Sequence, residues 1–166
     1  MNLRSPRALW TLLAFGCGTT VALSLGLTAA LGLYPCHLCI FQRLLFMVLT
    51  VLFGVTAWYW PRLAGSFAAL LSLPVSGSGV AAASYQSWLQ AQPAGSVSCV
   101  AGDPGLIEQL VEWLGQRVPE LFLATGFCES AELRITGLTL ANWALVAQTG
   151  ALALAAWALW ERRRAA

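Results

Sequence analysis

Two cysteines spaced three residues apart, Cys36 and Cys39, are the residues of this chain best suited to chemistry. They form the motif Cys36-His37-Leu38-Cys39, and Arg43 follows one helical turn after the second cysteine. Sulfurs at positions i and i+3 can bridge, and the positive end of a helix dipole stabilises a thiolate. Arg43 adds a permanent charge on the same helix face. The motif therefore predicts a redox-active dithiol whose thiolate attacks disulfides or quinones.

Long apolar segments surround this motif. The chain has 166 residues, of which 58% are hydrophobic and only 10% charged, and its mean hydropathy is +0.71. Four segments are long enough to cross about 30 Å of hydrocarbon, at about residues 10–33, 40–60, 63–88 and 138–160. Loops at about 34–39 and 89–137 connect them. The sequence therefore predicts an all-α membrane protein: one integral membrane domain over residues 1–166, built as a four-transmembrane-helix bundle.

The arginines predict how the bundle is oriented. They flank the spans at three places, which fall on one side if there are four spans: Arg4 and Arg7, then Arg62, then Arg162, Arg163 and Arg164. Positively charged flanks stay in the cytoplasm, so we expect both termini there. The apolar run after Arg7 is too long for a signal peptide, and we expect it to be retained as the first span. The two remaining loops would face outward.

A second pair of cysteines, Cys99 and Cys128, falls in the second outer loop. Taken alone, this pair predicts a structural disulfide that stabilises the loop by about 3–4 kcal/mol in the chain-entropy model. Two outward pairs in one small membrane protein also suggest a relay in which disulfides pass electrons by exchange. Both interpretations stand at this point. The fifth cysteine, Cys17, lies within the first span and is expected to pack as a small hydrophobic residue.

The second outer loop also carries an amphipathic pattern. Apolar residues from Leu106 to Val118 fall mostly on one helix face, with acidic and amide side chains opposite. Asp103 and Pro104 are typical of a helix start, and Pro119 would end the helix. The segment is too short and too charged to span a membrane. We expect it to lie flat on the outer surface; the alternative is packing on other parts of the loop.

Other uses of the Cys-x-x-Cys motif fit less well. Covalent haem attachment needs a histidine directly after the second cysteine, where this chain has Ile40. A structural zinc site needs four ligands, and His37 is the only histidine, so no metal is expected. Nothing in the sequence predicts a nucleic-acid partner. A purely structural Cys36–Cys39 disulfide remains open, although an arginine inside a span is usually functional. Snorkelling of the Arg43 side chain to the interface would also account for its position.

The segment from Tyr34 to Arg43 resembles the first outer loop of the DsbB family, bacterial inner-membrane proteins that reoxidise a periplasmic disulfide donor. The second loop and the entry to the fourth span are similar too, in residues 87–90, Cys99, residues 103–106, Cys128 and residues 137–143. The resemblance implies a quinone, ubiquinone or menaquinone, bound beside Cys39 and Arg43. It also implies a periplasmic loop with a short amphipathic helix, and a thioredoxin-fold DsbA-like partner in the periplasm. Electrons would then enter the quinone pool of the lipid bilayer.

The resemblance assigns a role to each cysteine. Cys99 would form the mixed disulfide with the partner, and Cys128 would be its bonded mate, able to bridge transiently to Cys36. Cys39 would be the thiolate that engages the quinone, with Arg43 stabilising its charge. Electrons would run from the partner dithiol to the Cys99–Cys128 disulfide, then to Cys36–Cys39, then to quinone.

One residue departs from the family pattern. Many members carry a histidine near the outer end of the third span, close to the quinone, where this chain has Gln86. A glutamine can donate a hydrogen bond to a quinone oxygen but cannot supply a proton. We therefore expect Gln86 to contact the cofactor, with a different proton route from relatives that have the histidine.

Three other functions are compatible with parts of the pattern. A vitamin-K-epoxide-reductase-like bundle shares the helix count, but its Cys-x-x-Cys comes later in the chain. A DsbB-like paralogue could serve a different, dedicated partner. A non-enzymatic membrane subunit could use the disulfides only to staple its loops. The state of the cysteines when quinone is withheld distinguishes the last of these from an enzyme.

Overall fold

Helices make up almost all of the structure. The computed structural model describes residues 6–93, 105–128, 130 and 133–165. Its elements in chain order are α1 (Pro6–Leu31), α2 (His37–Tyr59), α3 (Leu63–Gln90), α4 (Leu106–Arg117), α5 (Pro119–Phe122), β1 (Arg134–Ile135), β2 (Leu138–Thr139) and α6 (Leu140–Ala165). The two short strands pair antiparallel. The predicted all-α fold class is confirmed.

The four long helices, α1, α2, α3 and α6, have the length and apolar composition needed to cross a membrane. Their sequences contain long runs of leucine, valine, alanine and phenylalanine, which have no polar side-chain groups to bury. In lipid, a helix is the local structure in which every backbone donor and acceptor is satisfied within the segment. These properties identify the chain as a multi-pass membrane protein.

The long helices pack in the order α1, α2, α3, α6, and α1 and α6 meet at only a few positions. Their main core contains Trp10, whose ring lies 5.7 Å from the rings of both Phe53 and Trp60. Packing is therefore continuous between α1 and α2, α2 and α3, and α3 and α6. The sparse contact between α1 and α6 leaves space inside the bundle, near the start of α2 and the end of α3.

One end of the bundle is held together by arginines, and we call it the arginine end. The Arg7 guanidinium donates to the Trp60 carbonyl, at 2.9 Å from Nη2 and 3.3 Å from Nε. Arg162 lies 4.8 Å above the Trp60 ring and donates to the Ser66 hydroxyl. These contacts tie α1 and α6 to the turn between α2 and α3. The opposite end, where α2 begins and α3 ends, is the cysteine end.

The amphipathic helix α4 packs on the cysteine end of α2. Val111 is fully buried and forms a cluster with Ile40 of α2 and Phe122 of α5. Apolar side chains on another face, such as Trp113, stay exposed. Because α4 contacts α2, it neither stands apart from the bundle nor packs only on its own loop.

The start of α4 differs from the sequence-based expectation. Gly105 is its N-cap, and the Gly105 N–H donates to the Glu108 carboxylate at 2.6 Å. The described helix thus begins two residues after the start predicted at Asp103. Asp103 and Pro104 themselves lie outside the described residues. The helix ends at Arg117, before Pro119, as predicted.

Candidate functional site

The Cys-x-x-Cys motif forms the first turn of α2. Cys36 is the N-cap with extended backbone, and its sulfur accepts the backbone N–H of Cys39 at 3.3 Å. The Cys36 and Cys39 sulfurs are 2.9 Å apart. The residue that caps the helix is therefore also one of the two thiols of the motif. The link between α1 and α2 is residues 32–36, so Cys39 lies within the helix, at its positive end.

Gln86 of α3 is the polar side chain in hydrogen-bonding contact with both sulfurs. Its Nε2 donates to Cys39 at 3.0 Å and to Cys36 at 3.4 Å. Its Oε1 accepts from Nε2 of Gln42, on α2, at 2.9 Å. Both glutamines are almost completely buried. The structure thus brings Gln86 to the dithiol, and it adds Gln42, which was not predicted from the sequence.

Arg43 is buried one turn below Cys39, with 5% of its surface exposed. Its guanidinium donates to the Ser24 hydroxyl at 3.2 Å, the Thr28 hydroxyl at 2.9 Å and the Leu121 carbonyl at 3.0 Å. It interacts with Cys39 through its charge. The buried side chain links α1, α2 and α5. Ser24 and Thr28 were also missed from the sequence, where they look like ordinary small residues of a span.

Cys128 lies against the motif from the second loop. It is 2% exposed and packs in one cluster with Cys36, Leu38 and Leu89. A hydrogen bond with the Cys128 thiol, then one with Cys39, and then burial raise the pKa of Cys36 above its usual range. Cys36 therefore keeps its proton in the dithiol form. The structure brings Cys36, Cys39 and Cys128 together, while Cys99 lies outside the described residues.

A backbone contact holds the second loop on the first. The Pro35 carbonyl accepts the N–H groups of Thr125 at 2.9 Å and Gly126 at 3.1 Å. A Cβ at Gly126 would overlap the Tyr34 carbonyl oxygen and lie 2.8 Å from its carbon. Only glycine therefore allows the two loops to approach this closely, two residues before Cys128.

We predict that Gly126→Ala slows bond formation between Cys36 and Cys128 by about 10- to 100-fold, because it displaces the Cys128 segment. The measurement is the rate of Cys36–Cys128 cross-linking by a mild oxidant in a Cys39→Ser, Cys99→Ser background. Gly26→Ala is the matched control, since a Cβ there meets no heavy atom within 4 Å. Equal rates in the two alanine variants would contradict the proposed loop contact.

A cavity of about 430 Å³ opens next to the dithiol, between α1, α2, α3 and α6. Its polar lining includes Cys39, Gln42, Arg43 and Gln86, and most of the remaining wall is apolar. The volume falls in the range of small-molecule sites, about 300–1,000 Å³. Among the described residues, no group of histidine, cysteine and acidic side chains could hold a metal ion. The cavity is suited to a largely apolar molecule with a few hydrogen-bond acceptors.

These features define a class: a helical membrane protein with a thiol cluster beside an apolar cavity. The family model for disulfide bond formation protein DsbB matches residues 6–158. A disulfide bond formation protein B of Dechloromonas aromatica is 44% identical over 151 residues, 90% of this chain and 89% of its own. One from Azoarcus sp. is 33% identical over 162 residues, 96% of each chain. The chain belongs to the DsbB family, as the resemblance indicated.

Proposed function

We propose that this protein is a protein-disulfide oxidoreductase that oxidises a periplasmic thioredoxin-fold, DsbA-like partner and delivers the electrons to a membrane quinone. The observation that carries the proposal is the contact of Cys36 with both Cys39 and Cys128 at the wall of the cavity. Each disulfide exchange requires a thiolate to reach a sulfur of the next pair. Family membership supports thiol–disulfide chemistry at these cysteines.

In the proposed thiol steps, the contacts of Cys36 with Cys39 and Cys128 support the exchange at Cys36. A partner thiolate attacks Cys99 of the Cys99–Cys128 disulfide, which forms a mixed disulfide and releases Cys128 as a thiolate. The partner's second thiolate then attacks the partner sulfur of the mixed disulfide, so the partner becomes oxidised and Cys99 and Cys128 are left as a dithiol. The Cys128 thiolate then attacks Cys36, forming a Cys36–Cys128 bond and releasing Cys39 as a thiolate. Attack of Cys99 on Cys128 re-forms the Cys99–Cys128 disulfide and leaves Cys36 reduced. The buried Cys36, which contacts both Cys39 and Cys128, would be the sulfur that links the two pairs.

The residues of the cavity fit a quinone, either ubiquinone or menaquinone. Arg43 and Gln86 carry N–H donors at the wall of the cavity, and quinone oxygens accept hydrogen bonds. The apolar surfaces of α1 and α6 suit a ring with an isoprenoid tail. When bound, the quinone would supply the oxidising capacity for two electrons and two protons. Cys39 would face it, Arg43 would stabilise negative charge, and Gln86 would orient the reacting sulfur without supplying a proton.

The proposed location is the bacterial inner membrane, with both termini in the cytoplasm. Arg7 and Arg162 hold one end of the bundle together, and Arg62 follows the turn at the same end. The cysteine end would then face the periplasm, where disulfides persist. This orientation puts the thiol cluster within reach of both a periplasmic partner and lipid-soluble quinone.

The test of the proposal is to capture the partner. Cys128→Ser leaves Cys99 as a thiol without its mate. The Cys99 thiolate should attack the disulfide of an oxidised thioredoxin-fold partner, so that a mixed disulfide forms on Cys99 and the electron pair leaves on the partner's second sulfur. The adduct is identified by non-reducing electrophoresis and mass spectrometry, and Cys99→Ser, Cys128→Ser is the control that should trap nothing. Failure of an oxidised thioredoxin-fold oxidase to form the adduct would contradict the proposed partner class.

A further inference from the structure

The orientation of the Gln86 amide is fixed by Gln42. The carbonyl oxygen of Gln86 accepts from the Gln42 amide at 2.9 Å, which leaves the Gln86 Nε2 facing the sulfurs. The two glutamines, Gln42 and Gln86, are 4% and 2% exposed, so water has little access to replace either partner. If the Gln86 amide turned over, two amide nitrogens would face each other and an oxygen would face the sulfurs. With the Gln42 amide nitrogen facing Gln86, the contact favours the Gln86 orientation in which Nε2 faces the sulfurs.

We propose that Gln42 is a positioning residue that holds Gln86 so that its amide donates to Cys39, and thereby directs disulfide exchange to leave the negative charge on Cys39. This inference rests on the proposed function, in which Cys39 is the sulfur that reacts with quinone. Gln42 acts through Gln86. It therefore controls which sulfur becomes the leaving group, although its own amide bonds to neither thiol.

The exchange step is balanced without any further reactant. The Cys128 thiolate attacks the Cys36 sulfur of the Cys36–Cys39 disulfide; the Cys36–Cys128 bond forms as the Cys36–Cys39 bond breaks, and the electron pair leaves on Cys39. Gln86 is closer to Cys39, at 3.0 Å, than to Cys36, at 3.4 Å. Hydrogen bonds to a charged acceptor are about twice as strong as neutral ones, so the donor stabilises the product thiolate more than the starting disulfide.

This arrangement also makes the donor independent of pH. A glutamine amide has no ionisable proton in the range where thiols titrate. Its hydrogen bond to Cys39 is therefore not lost as the pH rises, whereas a protonated histidine would lose its charge. Arg43 supplies the remaining positive charge from one turn below. The Gln42–Gln86 pair is therefore a neutral support for the thiolate, and its effect depends on geometry alone.

A double-mutant cycle on the reactivity of Cys39 tests this proposal. In the fully reduced protein in nanodiscs, Gln42→Met and Gln86→Met should each slow iodoacetamide alkylation of Cys39 about tenfold at about pH 6. The double variant should react no more slowly than Gln86→Met alone, because Gln42 acts through Gln86. At about pH 10 all variants should react alike, since the thiol ionises there without a donor. Tandem mass spectrometry assigns the adduct to Cys39.

A charge-changing variant gives a second measurement that does not depend on the first. Gln42→Glu has a carboxylate that only accepts, so it should pair with the Gln86 Nε2 and turn the amide oxygen towards the sulfurs. Alkylation of Cys39 should then be slower than in Gln42→Met. Gln116→Glu, on the exposed side of α4, is the control and should react as the unmodified protein does.

Additive effects of Gln42→Met and Gln86→Met, or unchanged reactivity in Gln42→Met and Gln42→Glu, would overturn the positioning role. Alkylation needs neither quinone nor partner protein. A negative result in this experiment is therefore distinct from failure of the proposed oxidoreductase activity. If only the proposed activity failed, the partner and quinone assays would be negative while the double-mutant cycle still gave the expected alkylation rates.

Discussion

Replacement of Cys39 by serine is expected to lower quinone-linked oxidation of partner thiols on the order of a thousandfold or more. A serine hydroxyl matches the thiol in size, but it does not ionise near neutral pH and cannot form a disulfide. The Cys36 thiol could still exchange with the Cys99–Cys128 disulfide, but no thiolate would remain to pass electrons on to quinone. The measurement is the steady-state rate of partner oxidation by purified protein with added quinone, followed by loss of partner thiols.

The control for this variant is Cys17→Ala. Cys17 is buried among the α1 and α2 core residues, and it belongs to a different cluster from Cys36 and Cys128. Its removal should leave turnover within about twofold. With Cys39→Ser, the visible absorbance expected from a thiolate beside a quinone should also vanish. Full turnover in Cys39→Ser would rule out Cys39 as the quinone-facing sulfur and would require another route from Cys36.

Replacement of Arg43 by leucine should have the second-largest effect, on both rate and stability. Turnover should fall about 10- to 100-fold, because Cys39 loses the permanent positive charge nearby. The free energy of unfolding should fall by about 2–3 kcal/mol, because Ser24, Thr28 and the Leu121 carbonyl lose their common donor. The two measurements are the rate of partner oxidation and the thermal unfolding midpoint in detergent.

Arg43→Lys separates the charge from the geometry. A lysine keeps the positive charge but lacks the planar fork that reaches three acceptors at once. It should therefore retain most of the thiolate–quinone absorbance while losing much of the stability. If lysine and leucine lowered the absorbance equally, hydrogen-bond geometry and not charge would support the thiolate. If Arg43→Leu were as active as the unmodified protein, the arginine would have only a structural role.

Much of the site could be predicted because its chemistry is encoded in local spacing. Cys36 and Cys39 are one helical turn apart, and Arg43 follows after another. Spacing along one helix fixes which residues share a face, whatever the rest of the fold does. The four spans could be predicted equally well, because lipid permits few backbone structures and the length of each apolar run sets the helix.

The contacts between helices could not be predicted in the same way. Gln42 precedes Arg43 in sequence and gives no local sign that it faces Gln86, because that pairing depends on the rotation of α2 against α3. The partners of Arg43 on α1 depend on packing for the same reason; the spacing of Ser24 and Thr28, four residues apart in an apolar span, was the available signal.

The contact between the two loops is also a product of the fold. Cys128 meets Cys36 because the backbone of Gly126 approaches Tyr34 and Pro35, and glycine is too common in loops for its presence to predict such an approach. The helix start at Gly105 likewise depends on the Glu108 side chain and not on the more typical Asp103 signal. Contacts between residues far apart in the chain leave no periodic pattern in the sequence.

The most direct test of electron transfer from partner thiols to quinone is the redox state of the cysteines with quinone withheld. Purified, quinone-depleted protein is incubated with excess reduced thioredoxin-fold partner, and its disulfides are mapped by mass spectrometry before and after quinone is returned. Both pairs, Cys36–Cys39 and Cys99–Cys128, should become reduced without quinone. They should re-form when quinone is added, with one quinol produced for each disulfide. Disulfides that stay fully formed throughout would contradict the relay and leave them a purely structural role.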